Sequence, residues 1–403
     1  MSKLAINGGN SVNNGKYLTL LPWPPVYEKT ADKIREIYFS RAWSFNSEKE
    51  QEFEKVYAEY HGAKYGIFMA NGTVTLECAL EALGVGAGDE VIVPALTWIA
   101  TAMAVNYVGA KVVFADIDPA TFAMAPESFE NLITPNTKAV IPVHLYGSMA
   151  DLDKIIAIAK KHNIAVIEDC AHMQGGKWNG RGAGSWGDIG SFSFQQSKTV
   201  ACGEGGITLT NSDELAEKLY RCKHIGYSRY DKQGQAGTPP PPGLTCHNYR
   251  GLAIQAQILI DQMEELPALI DSYNKFYDVL ADSLANVEGV RLQQRGRLAS
   301  PQGFYGLGIV FESERWLKYS FERIAQALGA EGVGLASTYG PVYRHLLFNM
   351  DTKDYVKPDC PNTEFISDRT FILPHYGMGV LDNAEMISKA ICKISENLNE
   401  LEA

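Results

Sequence analysis

The sequence predicts an α/β fold: a mostly parallel seven-stranded sheet covered by helices on both faces, followed by a smaller C-terminal α+β domain. Three observations lead there. Seven short β-branched runs recur along the first half of the 403-residue chain, segments of helical apolar spacing lie between most of them, and the runs are almost continuously apolar rather than alternating. Strands joined by helical crossovers are parallel, and a strand covered on both sides has no solvent face to make polar.

Taken in order, the strands are expected at 64–70, 90–95, 111–117, 138–144, 164–169, 189–195 and 206–211. Apolar spacing places helices at Val74 to Leu83, Ile99 to Val108 and Leu152 to Lys161, each able to cover the sheet with one stripe. Residues 231–243 are rich in Pro and Gly and read as a loop, because they supply neither helix nor ladder bonds. From 249 to 284 runs a long amphipathic segment that should break or kink near Pro267. Beyond it come a strand at 304–311, a helical stretch at 320–332 and a final helix from Asn383 to Leu398. The expected division is a large domain with its N-terminal arm, 1–265, and a small domain, 266–403.

Composition removes several classes of function. The chain is 46% hydrophobic without a run of about 18 apolar residues, and its first residues lack the pattern of a secretory signal, so a cytoplasmic protein without membrane contact is expected. Seven cysteines show neither Cys-x-x-Cys pairs nor metal-ligand spacing with histidines; they read as reduced thiols, with no metal site. A net charge of −11 argues against a nucleic-acid surface, which needs clustered Lys and Arg.

In an open parallel sheet, ligands collect at the carboxyl ends of the strands. There the chain places its chemistry. Strand 64–70 runs into Asn71-Gly72-Thr73-Val74, which serves either as a helix cap or as a phosphate seat made of free N–H groups at a positive helix end. Strand 90–95 leads to Trp98, a core filler or a stacking plate. Strand 164–169 ends in Asp169, followed by His172; the acid either caps a loop or pairs with a ligand's protonated nitrogen. Strand 189–195 leads through Gln195, Gln196 and Ser197 to Lys198, which is either solvated or an amine nucleophile. Gly182, Gly184 and Gly187 match G-x-G-x-x-G, but they precede a strand instead of opening a helix after one, so the match reads as chance.

Phosphate seat, aromatic plate, acid and amine on one rim fit the needs of pyridoxal 5'-phosphate: a lysine to bond the aldehyde, an acid to keep the pyridine nitrogen protonated, a ring to stack, a helix start for the phosphate. "IEDCAHMQGGKWNGRGAGSWGDIGSFSFQQSKTVACGEGGITLTN", with "NGTVTLECALEALGVGAGDEVIVPALTWIATAMAV" and "HNYRGLAIQAQI", resembles the DegT/DnrJ/StrS family of pyridoxal-phosphate aminotransferases. The likeness runs from about residue 20 to the C-terminus.

The resemblance implies the following. The fold is fold type I of the pyridoxal-phosphate-dependent transferases. Lys198 carries the cofactor, Asp169 faces its pyridine nitrogen, and His172 contacts its ring or phenolic oxygen. Gly72, Thr73 and Ser193 hold the phosphate and Trp98 lies against the ring, while Asn248 reaches the phosphate from the neighbouring subunit of a homodimer. Gln195, where many nucleotide-sugar members carry histidine, and the opening "LPWPPVYE" resemble the branch acting on cyclitol ketones and the aminohydroxybenzoate synthases. The expected reaction takes an amino group from glutamine or glutamate to a keto sugar or cyclitol. Tyr343, Arg344, His345 and His375 are candidate contacts for substrate hydroxyls or, equally, surface or packing residues. An aminohydroxybenzoate-type synthase and a non-catalytic cofactor- or sugar-binding regulator are the alternatives.

Overall fold

The computed structural model describes residues 3–232 and 234–402. All seven expected strands form: β1 (Tyr65–Met69), β2 (Glu90–Pro94), β3 (Lys111–Ala115), β4 (Thr137–Val140), β5 (Ala165–Asp169), β6 (Ile189–Ser193) and β7 (Gly206–Thr210). The C-terminal part adds β8 (Val290–Leu292), β9 (Gly306–Phe311), β10 (Ala336–Ser337), β11 (Tyr355–Val356) and β12 (Thr370–Pro374).

The large sheet has the order β1-β7-β6-β5-β4-β2-β3-β11. It is parallel from β6 to β11, and β7 runs antiparallel to both its neighbours. The sheet therefore has eight strands where the sequence predicts seven. The extra one, β11, is two residues long and sits between polar segments, so it offers no run of apolar residues to read. Every residue of β6 and β7 is buried, which accounts for their unbroken apolar character.

The helices follow the expected spacing at Gly72–Ala82, Ala100–Tyr107, Leu152–His162 and Asp382–Glu396. An additional helix, Glu48–His61, starts at a capping box in which Ser47 and Glu50 satisfy each other's backbone donors. It presses Phe53 and Tyr57 onto Phe192 and Phe194 in edge-to-face contacts with centroids 5.1–5.3 Å apart. This aromatic packing anchors β6 on the side from which it delivers its last residues to the rim.

Ala253–Leu284 is a single 32-residue helix with Pro267 inside it; losing one N–H does not end a helix held by tertiary contacts on both sides. The expected division at 265/266 falls within this helix. Beyond it, β8, β9, β12 and β10 form an antiparallel sheet. The N-terminal arm lies along this smaller unit: buried Glu331 accepts from Ala5 N at 2.9 Å and Val12 N at 2.9 Å, and Leu21 N donates to Tyr376 O at 3.0 Å. No helix among the described residues is long and apolar enough to cross a membrane.

Candidate active site

β1 turns at Asn71 into the helix Gly72–Ala82. Asn71 Oδ1 accepts from Thr73 N and Val74 N, each at 3.0 Å, so the turn is an N-cap, and the positive end of the helix faces a cavity of about 980 Å³. Close packing fixes this turn between β6 and β7. A Cβ on Gly72 would lie 2.5 Å from that of Ser193, and one on Gly206 would lie 2.6 Å from the backbone of Asn71. Both glycines are therefore dictated by backbone approach rather than by conformation.

Gly72, Thr73, Trp98, Asp169, His172, Ser193 and Lys198 all line this one cavity, as does Gln195. Asn248, Tyr343, Arg344, His345 and His375 are not on its wall. Tyr343 donates to Glu364 at 3.2 Å and Arg344 pairs with the same carboxylate at 2.7 Å. His345 sets its ring against Trp98 at 5.7 Å. His375 is buried beneath the lysine loop.

β5 delivers two adjacent carboxylates to opposite faces, as a strand must. Asp169 points into the cavity, accepting from Thr101 Oγ1 at 2.9 Å and Ala171 N at 3.1 Å. Burial raises its pKa, against the pull of those donors and of Lys198. Glu168 turns the other way and accepts from the backbone N–H of Gly184, Trp186 and Gly187 at 2.7–2.9 Å, with His144 Nε2 at 3.2 Å. Burial alone would raise Glu168; His144 and the backbone donors outweigh it and hold it low. The glycine pattern at 182–187 is thus a seat for the chain's own carboxylate. The ligand atoms of His144, Glu168 and Cys170 lie within 4.8 Å of one another, but both Glu168 oxygens are already occupied and His144 Nδ1 accepts from Ala150 N at 3.2 Å.

His172 is an oriented neutral imidazole. Tyr146 N donates to its Nδ1 at 3.2 Å, which leaves the proton on Nε2, turned to the cavity. Tyr146 makes this bond from a left-handed backbone, φ +56°, a strained choice for a residue with a Cβ. Tyr305 stacks on the His172 ring at 3.9 Å and 17°. Burial, reinforced by Lys198 and His375, holds the His172 pKa well below the ordinary histidine value.

Lys198 leaves the end of β6 through a tight loop. Its Nζ lies 4.4 Å from the Tyr305 ring centroid, surrounded by protein but with some surface open along the cavity. Burial pushes its pKa down to about 8, against Asp169 and Glu204, which hold it up. Only the neutral amine is a nucleophile. Acylation of Lys198 in the cofactor-free protein, followed by peptide mass, is expected to rise with pH to a midpoint near 8, whereas exposed lysines follow about 10.4.

Thr101, Tyr305 and Tyr339 line the cavity and Tyr146 orients His172, and sequence reasoning singled out none of the four. The tyrosines come from loops and from the C-terminal part, with no motif to mark them. Thr101 had a weak signal, one helical turn past Thr97 at the strand-end rim.

A family model described as the DegT/DnrJ/EryC1/StrS aminotransferase family matches residues 26–391. The L-glutamine:2-deoxy-scyllo-inosose aminotransferase of Streptoalloteichus tenebrarius is 32% identical, with 98% of this chain and 99% of that protein covered. The aminotransferase from Psychrobacter cryohalolentis superposes with a TM-score of 0.86 at 30% identity over 94% of this chain and 100% of its own. 3-Amino-5-hydroxybenzoic acid synthase superposes with a TM-score of 0.82 at 27% identity, covering 94% and 100%.

Proposed function

The chain belongs to the DegT/DnrJ/EryC1/StrS aminotransferase family, and from that premise we propose that it moves the amino group of glutamine onto the keto group of an uncharged cyclitol, using Lys198, Asp169 and His172. It is an aminotransferase of fold type I, and pyridoxal phosphate is its cofactor. The observation that carries the assignment is the cavity wall. An enclosed amine and an enclosed carboxylate face the same space as a helix N-terminus.

The donor set fits pyridoxal phosphate. Asp169 is buried with only two hydrogen-bond donors on it, a charge that a protonated ring nitrogen would compensate. The Thr73 hydroxyl and Ser193 lie at the positive helix end, suited to a phosphate dianion. Trp98 supplies a ring face for a planar heterocycle. When bound, the cofactor supplies an electron sink for the substrate's α-carbon.

The chain's residues do the rest. Lys198 would bond the cofactor's aldehyde, and once the donor amine had displaced it, its neutral amine would take up and carry the proton released from the donor's α-carbon. Asp169 would hold a proton on the pyridine nitrogen by charge pairing. His172, fixed as an Nε2 donor, offers that N–H to the cofactor ring's substituents. Trp98, 46% exposed, lies against the outer part of the cavity where the acceptor enters.

The acceptor reading follows from charge. The wall offers hydroxyls from Thr73, Ser197, Tyr305 and Tyr339 and the Gln195 amide, and adds Glu77 and Glu204. Apart from Lys198, the described wall holds no Lys or Arg, so the part of the acceptor that rests on this wall meets hydroxyls and amides rather than counter-charge. A neutral polyhydroxylated ring suits it better. The donor's carboxylate then needs a cation from outside this wall, which a second subunit can supply.

The homodimer belongs to the same reading. Residues 249 and 250 run beside the end of β1, with Ala70 N donating to Tyr249 O at 2.8 Å and a bridge from Met69 to Arg250. Tyr249 lines this cavity; alternation along extended backbone turns Asn248 the other way, where it is exposed and open to a neighbouring subunit. Tyr38, Phe39 and Trp43 form an exposed aromatic cluster, 57%, 67% and 46% accessible, of the kind a partner covers. A cytoplasmic location accords with seven free cysteines.

Purified protein given pyridoxal phosphate, glutamine and scyllo-inosose or its 2-deoxy analogue is expected to release the aminocyclitol, identified by mass. A dehydrated, aromatised product from an aminoshikimate-type precursor would favour the synthase reading instead. No amine product from any ketone, neutral or nucleotide-linked, would overturn the assignment.

A further inference from the structure

The two peptide carbonyls on either side of the Lys198 Cα are each held by a side chain from far along the sequence. Trp23 Nε1 donates to Lys198 O at 3.0 Å, and His375 Nε2 lies 2.9 Å from Ser197 O. A carbonyl only accepts, so His375 carries its proton on Nε2, and its Nδ1 accepts from Tyr273 OH at 3.0 Å. Trp23 sets its ring edge-on against His375 with centroids 4.5 Å apart, so the two donors also fix each other.

Neither residue reaches the cavity wall, and His375, both nitrogens engaged, has no donor or acceptor left for a substrate. The loop is tied further by Ser197 Oγ to Tyr305 OH at 3.0 Å and by Thr199 Oγ1 to Phe304 O at 2.8 Å. These four ties come from the N-terminal arm and the C-terminal unit, while Lys198 itself leaves the large sheet.

We propose that Trp23 and His375 are positioning residues that clamp the Lys198 peptide, so that only its side chain moves during turnover. This rests on the assignment of Lys198 above. A lysine that alternates between cofactor anchor and proton carrier needs a fixed root. Its Nζ must return to two positions repeatedly, and a displacement of about 1 Å in a catalytic group can cost up to about 100-fold.

The test uses Trp23→Phe, which keeps an edge-on ring and removes the donor, with His375→Leu and His375→Gln, the last retaining a side-chain amide donor. In cofactor-free protein, the pH midpoint of Lys198 acylation is expected to move up from about 8 by roughly half a unit or more in Trp23→Phe and His375→Leu, as the loosened amine samples water. In loaded enzyme, kcat is expected to fall about tenfold with KM for glutamine within about twofold, and His375→Gln is expected to stay near the native values in both measurements. An unchanged midpoint in Trp23→Phe and His375→Leu, whether or not their melting temperature drops, would overturn the clamp. Because the acylation profile needs neither cofactor nor substrate, it stands apart from a failure of the transaminase reading, which would show in the native enzyme.

Discussion

Replacing Lys198 with alanine is expected to lower amino transfer by about 10⁴-fold or more, because one side chain supplies both the covalent hold on the cofactor and the proton carrier. Lys198→Arg should lose as much: it restores a cation beside Asp169, but a guanidinium does not deprotonate near neutral pH and cannot bond an aldehyde. The two variants together separate charge from nucleophilicity. Both should still bind pyridoxal phosphate weakly, since the helix start at Gly72, the Ser193 hydroxyl and the ring of His172 remain. Native-like turnover in either variant, measured as aminocyclitol released per minute, would remove Lys198 from the reaction.

Asp169→Asn is expected to give the second largest effect, a loss on the order of 10²–10³-fold, with the cofactor still attached to Lys198. Asparagine keeps the size and one acceptor for the Thr101 hydroxyl, but it offers no negative charge to hold a proton on the ring nitrogen. A second effect follows from the pair. Asp169 holds the Lys198 pKa up against burial, so removing that charge favours the neutral amine and should shift the acylation midpoint of cofactor-free protein below about 8. The two observations have opposite signs for chemistry: a more available amine and a slower enzyme. An Asp169→Asn protein with native kcat, or with its midpoint raised, would contradict the role given to this carboxylate.

Much of this was legible in the sequence because the large sheet is built from long apolar runs, and a parallel sheet confines its chemistry to one rim. The strand ending at Asp169, the helix starting at Gly72 and the loop carrying Lys198 are each marked by local pattern, and the fold brings them to one cavity. Residues whose role depends on tertiary placement left no such mark. Tyr305 and Tyr339 come from the C-terminal part, and their spacing says nothing of a site more than 100 residues earlier. Tyr146 acts through a backbone N–H from a left-handed turn, which its side chain does not announce. Asp169 and Glu168 are adjacent, and periodicity alone cannot say which faces the cavity. β11 is too short to carry a period, and Pro267 sits in a helix that tertiary contacts keep whole. His375 drew attention as a polar residue in the C-terminal part, but its buried position between Tyr273 and the Ser197 carbonyl assigns it to the loop rather than to a substrate.

The measurement that bears most directly on the account is borohydride reduction of native protein loaded with pyridoxal phosphate, followed by digestion and peptide mass. The expected result is one pyridoxyl adduct, on the peptide containing Lys198, formed before but not after incubation with excess glutamine in the absence of a ketone acceptor. An adduct spread over surface lysines, or one at Lys198 that glutamine leaves untouched, would contradict it.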